Sequence, residues 1–173
     1  MELDLILFNL IHSASGVFKL LDWVGIFAAA YLPYFMLVGF ILLVLRQSVF
    51  SQKFYFFILA FLSALLSRGI ITETIRFFYD RSRPFEALDF TSLINHSASG
   101  SFPSGHASFY FVIVAVVYFL DRRWFRYFFP AAILIGMARV FVGVHWPLDV
   151  AAGAIIAISS VFVVRYFLPK GTP

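Results

Sequence analysis

Three short clusters hold most of the chemistry available to this chain: Arg76…Arg83-Pro84, Pro103-Ser104-Gly105-His106, and Arg139…His145…Asp149. They place cations, two imidazoles and one carboxylate in an otherwise very apolar sequence. Charged groups near hydrocarbon are costly and are kept there for a function. Together these are the parts of a phosphate-transfer site: several positive donors, a nucleophile, an acid and an orienting carboxylate.

In the second cluster Ser104 is a suitable N-cap, and Gly105 lets the backbone approach a ligand closely. The first-turn N–H groups of the helix opened there lack partners, and the helix dipole favours an anion. His106 shares that turn. In the third cluster, the i,i+4 spacing of His145 and Asp149 around Pro147 lets the carboxylate accept from one ring nitrogen. That fixes the tautomer and frees the other nitrogen to attack. Plainer readings stand beside these: an ordinary cap, an interfacial histidine, an acidic residue favoured by a helix N-terminus, and arginines snorkelling to headgroups. Snorkelling is the preferred reading of Arg81, and an ion pair or hydrogen bond inside the bundle that of Arg68. None of them accounts for Arg139 within an apolar helix.

The elements that must position these groups are apolar helices. Of 173 residues, 62% are hydrophobic and 13% charged, with mean hydropathy +0.92. A soluble domain is nearer half apolar and a quarter charged, so the chain reads as an all-α integral membrane protein. Its length suits one bundle over residues 1–173, without a second domain. Absence of cysteine removes disulfides, thiolate chemistry and Cys-ligated metals. The formal charge of +4 comes from 13 basic and 9 acidic residues. Most of the basic ones are Arg, suited to bidentate phosphate contacts, and no soluble basic stripe suggests nucleic acid. Met1-Glu2-Leu3-Asp4 is acidic where a secretory signal would be basic, so no such signal is expected.

Residues 3–14 predict an amphipathic helix lying in the interface. About five spans follow, near 23–45, 54–78, 104–120, 127–144 and 147–165. A long non-helical connection is expected over 80–103 and a tight basic loop over 121–126, with Pro130 tolerated in the first turn of the fourth span. Arg46, Lys53, Arg122, Arg123, Arg126, Arg165 and Lys170 then fall on one side, which should be cytoplasmic. All three clusters meet on the opposite face. Trp124 falls at the inner boundary, Trp23 and Trp146 at the outer.

Read together, the clusters resemble the type 2 phosphatidic acid phosphatase superfamily, whose pattern is K-x6-R-P, P-S-G-H and S-R-x5-H-x3-D. This chain has Arg76-x6-Arg83-Pro84, Pro103-Ser104-Gly105-His106 and Ala138-Arg139-x5-His145-x3-Asp149. The resemblance covers residues 52–165, with Arg76 in place of the usual Lys and Ala138 in place of the usual Ser. It implies a membrane lipid phosphatase acting on a phosphate or diphosphate group through a phosphohistidine at His145. Asp149 would balance the imidazole, and His106 would protonate the leaving oxygen and then activate water. Arg76, Arg83, Ser104, Gly105 and Arg139 would bind the phosphate, with no metal and no other cofactor. The implied partners are the bilayer and a lipid phosphate: undecaprenyl diphosphate, phosphatidylglycerol phosphate or the 1-phosphate of lipid A. The implied place is a bacterial inner membrane, with the site on the periplasmic side; oligomeric state stays open. Three competing readings remain: an intramembrane serine hydrolase using Ser104 and His106, a lipid or anion transporter without enzymatic activity, and a haloperoxidase.

Overall fold

The computed structural model describes residues 2–96 and 100–169, and every regular element among them is helical. In chain order these are α1 (Glu2–His12), α2 (Lys19–Ala30), α3 (Leu32–Leu45), α4 (Phe50–Ala64), a π-helical segment (Leu65–Ile71), α5 (Thr72–Phe78), α6 (Pro84–Ala87), α7 (Gly105–Leu120), α8 (Arg122–Phe141) and α9 (Pro147–Phe167). From α4 through α5 the chain is one continuous rod, Phe50–Phe78. Lys170 and residues 97–99 of the long connection lie outside the described residues.

Three helices are long and apolar enough to cross a membrane: Phe50–Phe78, Arg122–Phe141 and Pro147–Phe167. The expected first span is α2 and α3 together, bent by 42° at a break. The expected third span is α7, with only 16 residues, short of the ~20 a crossing takes. Its sequence is apolar on every side, and such a helix must be covered on every side. Phe111, Val112, Ile113, Val114, Val116 and Val117 are accordingly all buried. The helix packs most extensively against α9, then α8 and α4.

Several expectations are corrected. The 121–126 segment is not a loop: Asp121 caps α8, its carboxylate accepting from Arg123 N at 2.8 Å, and α8 starts there. Pro130 therefore lies inside α8, at an exposed position, and not in its first turn. The long connection contains the short helix α6, with Arg83 N donating to Glu86 Oε2 at 3.0 Å. Trp146 is not an outer-belt residue; it is buried, its indole N–H donating to Ser82 O at 3.0 Å. The amphipathic α1 exposes Leu3, Ile6 and Leu10 as an interfacial helix would, yet buries Asp4 and Phe8 against the bundle.

Two glycines set how closely the site-bearing helices meet. Gly143 turns the chain between α8 and α9 at φ +89°, a region favouring glycine. Gly153 of α9 faces the start of α7 so closely that a Cβ would stand 2.6 Å from Ser104 O and 2.9 Å from Ala107 Cβ. Small residues at such contacts let membrane helices approach. Replacing Gly153 with Leu should therefore part α7 from α9 and cost roughly 1–3 kcal/mol or more. A thermal melt in detergent should register this as a lower midpoint, together with loss of activity.

Candidate active site

Buried hydroxyls lock the arginine-bearing rod to the start of α7. Ser67 Oγ donates to Ser108 O (2.7 Å), Thr72 Oγ1 to Ser108 Oγ (2.9 Å), and Ser108 Oγ to Ser104 O (3.0 Å). Ser104 caps α7, accepting from Ala107 N at 3.5 Å, and its own N–H donates to Asp149 O at 2.9 Å. The rod, α7 and α9 thus meet at one end of the bundle around a cavity of about 450 Å³. Arg68, Arg76, Arg83, His96, Gly105, His106, Tyr110 and His145 all line it.

Of the residues singled out from the sequence, Arg76, Arg83, Gly105, His106 and His145 therefore share one wall-to-wall space. Ser104, Arg139 and Asp149 stand behind that wall, each buried. The Ser104 hydroxyl is the cap expected of it, fully buried and accepting from Ala107 N, which counts against the competing serine-hydrolase reading. Gly105 is also explained differently, because a Cβ there would meet the Arg68 guanidinium at 2.5 Å. Arg68 pairs with Glu73, but at an exposed position and not inside the bundle as expected, and it lines the cavity. Two regular helical positions eight residues apart differ by about 80° around the axis. The π-helical segment that carries Arg68 widens this turn, and both Arg68 and Arg76 reach the cavity.

The carboxylate stands beside the imidazole, whose Nδ1 makes no hydrogen bond. Asp149 is the third residue of α9, and its Oδ2 accepts from Trp146 N at 2.9 Å, as an acidic residue at that helix position does. His145 Nδ1 lies 3.5 Å from the same oxygen. Arg83 Nη1 meets His145 Nε2 at 3.4 Å and also donates to Val144 O at 2.8 Å. A guanidinium only donates, so Nε2 must be the ring nitrogen with the lone pair and Nδ1 the one carrying hydrogen. The ring thus turns its N–H toward Asp149 and its lone pair toward the arginines.

Positive charge dominates the site. Arg76 Nη2 donates to Pro103 O at 2.9 Å and its Nε has no hydrogen-bond partner. Arg139, 3% exposed, has neither Nε nor Nη2 partnered. Burying guanidinium groups without matching acceptors is expensive, and an anion resolves that cost. Burial, reinforced by Arg76, pulls the Arg83 guanidinium down to about 10. Burial, with Arg139 and Arg83 adding to it, holds the His145 imidazole well below the usual histidine range.

Two features escaped the sequence reading. His96 lies on the cavity wall with its ring 6.3 Å from that of His145; its only signal is a histidine in the polar connection between the first two clusters. Arg81 does not snorkel: its Nη1 donates to Asp149 Oδ1 at 2.7 Å, and its Nη2 pairs with Asp4. Its two carboxylate partners lie far away along the chain, and sequence alone does not report them.

The chain is similar to several known proteins. A family model described as the PAP2 superfamily matches residues 57–173. A protein of Bacillus licheniformis named bacitracin transport permease protein BcrC is 28% identical over 98% of this chain and 82% of its own length. The undecaprenyl-diphosphatase BcrC of Bacillus subtilis is 30% identical over 88% of this chain and 77% of its own. The crystal structure of Aquifex aeolicus LpxE superposes with TM-score 0.77 at 26% identity, covering 95% of both chains.

A neutral, buried His145 has a consequence for stability. Its folded pKa lies below the unfolded value of ~6.5, so the unfolded chain binds the extra proton first. This contribution is complete above the unfolded pKa and is lost as pH falls below it, by at most ~1.4 kcal/mol per pH unit. The melting temperature should accordingly fall more steeply between pH 7 and pH 5 in the native protein than in His145→Gln, as measured by differential scanning fluorimetry.

Proposed function

Because the chain belongs to the PAP2 superfamily, we propose that this cavity is the active site of an integral-membrane lipid phosphatase working through a histidine nucleophile. The observation that carries the proposal is the lone pair of His145 Nε2 facing a set of buried guanidinium groups, two of them with unpartnered nitrogens. Arg76, Arg83 and Arg139, with the first-turn N–H groups of α7, hold the equatorial oxygens of a phosphoryl group; Ser104 contributes by capping that turn. Nε2 attacks phosphorus while the bond to the leaving oxygen breaks, and His106 donates a proton to that oxygen. Asp149 stabilises the imidazolium of the resulting phosphohistidine. His106 then takes a proton from water, whose oxygen attacks phosphorus as the P–N bond breaks. Preorganised donors of this kind supply much of the rate enhancement, and the charge a metal would otherwise bring comes here from arginine.

The substrate is a lipid phosphate or diphosphate whose tail stays in hydrocarbon. The kinship with a Bacillus subtilis undecaprenyl-diphosphatase makes a prenyl diphosphate the first to test, ahead of phosphatidylglycerol phosphate and lipid A 1-phosphate. Charge distribution supports an orientation. Gln47, Gln52, Leu120 and Arg165 converge at the end of the bundle away from the cavity, where Arg46 ends α3, Lys53 lies in the first turn of α4 and Arg122 opens α8. That end faces the cytoplasm, and the site opens on the periplasmic side of a bacterial inner membrane. A transport reading has one observation behind it, the name borne by the Bacillus licheniformis relative.

His145→Ala should abolish phosphate release from purified protein without lowering its folded yield; retained substrate transport across vesicles with no hydrolysis would instead favour the transporter. Alkaline quenching of labelled substrate should trap phosphate on His145 at Nε2. Arg139→Ala should lose ~10²–10³ in kcat, the range for removing one preorganised donor. EDTA should leave turnover unchanged, whereas vanadate should inhibit it.

A further inference from the structure

The N-terminal helix enters the site through a single buried carboxylate. Asp4, 1% exposed, accepts at Oδ1 from Leu148 N at 3.0 Å and at Oδ2 from Arg81 Nη2. Arg81 gives its other nitrogen, Nη1, to Asp149 Oδ1 at 2.7 Å. Its guanidinium also stands over the Trp146 ring, 5.2 Å from the centroid. One cation is thus shared between two carboxylates, and the second of these faces His145 Nδ1 through its other oxygen at 3.5 Å.

A simple dock for α1 would need no such partner. Phe8 is already fully buried beside Trp146 and Phe90, and His12 Nδ1 contacts Phe141 O at 2.8 Å. The ion triad adds something different, a charge balance beside the nucleophile. An arginine paired with Asp149 alone would neutralise the carboxylate that has to stabilise the imidazolium. Asp4 supplies a second negative charge, so the trio Asp4, Arg81 and Asp149 keeps a net charge of one carboxylate to set against His145.

We propose that Asp4 and Arg81 are positioning residues for the reaction, holding Asp149 in place from α1 and preserving its negative charge for the phosphohistidine step. The assignment rests on His145 being the nucleophile. Neither side chain touches substrate in this scheme, so their loss acts on turnover and not on lipid binding.

The test uses the full-length protein in detergent with a prenyl diphosphate and with a lipid monophosphate. Asp4→Asn keeps the shape and an oxygen for Leu148 N while removing the charge. It should lower kcat at least tenfold on both substrates, leave KM within about twofold, and slow the appearance of phosphate on His145 in rapid-quench measurements. Asp4→Glu should recover part of the rate. Arg81→Lys, which cannot bridge two carboxylates in one plane, should fall between Asp4→Asn and Arg81→Gln. Wild-type kcat in Asp4→Asn overturns the proposal, and so does a loss of activity that follows the folded fraction with unchanged turnover per folded molecule. Full phosphate release by His145→Ala would instead overturn the reading beneath it, so the two failures are told apart.

Discussion

Desolvated positive charge is the quantity around which this molecule is organised. Arg83 and Arg139 are almost wholly buried at the end of a bundle made of Phe, Val, Leu and Ala, and Arg76 adds a third guanidinium. Carboxylates are few among the described residues: Asp149 is engaged by Arg81 and Trp146, and Glu73 is shared between Arg68 and Arg76. Such an arrangement stands only because backbone carbonyls of Val144, Gly100 and Pro103 take part of the load and helix packing supplies the rest. What remains unmatched is affinity for an oxyanion, held ready before any substrate arrives.

Rigidity makes that readiness usable. The chain of hydroxyls from Ser67 and Thr72 through Ser108 to Ser104 fixes the arginine rod to the α7 cap, and Ser104 N ties the cap to Asp149 O. Gly153 allows the two helices behind it to touch. Small hydroxyl and hydrogen side chains, which read as unremarkable in an apolar sequence, therefore determine where the reactive groups stand.

How much of this could be read from residues alone varied with the kind of interaction. The three clusters were legible because their chemistry is local: a cap at Ser104, an i,i+4 pair at His145 and Asp149, an arginine six residues earlier. Apolar run lengths located the rods, but not the bend near Tyr31, where Pro33 opens α3, or the π-helical turn at Arg68. Asp121 capping α8 was a local signal outweighed by the density of arginines after it. Arg81 was misjudged for a different reason. Its partners lie 77 and 68 positions away, and no periodicity reports a contact of that range. His96 belongs to the same class, its place on the cavity wall being set by the connection that carries it.

The reach of Asp4 bears on how the protein is made. It meets Leu148 across 144 positions, joining α1 to the opening turn of α9. α1 also packs against α8, but its carboxylate finds the Leu148 N–H only when α9 is in place. A helix with Glu2, Asn9 and Ser13 on one side and Leu3, Ile6 and Leu10 on another can wait at the headgroups without sinking or drifting off. The support behind the reactive carboxylate is thereby complete only once two segments far apart along the chain, α1 and the start of α9, have come together.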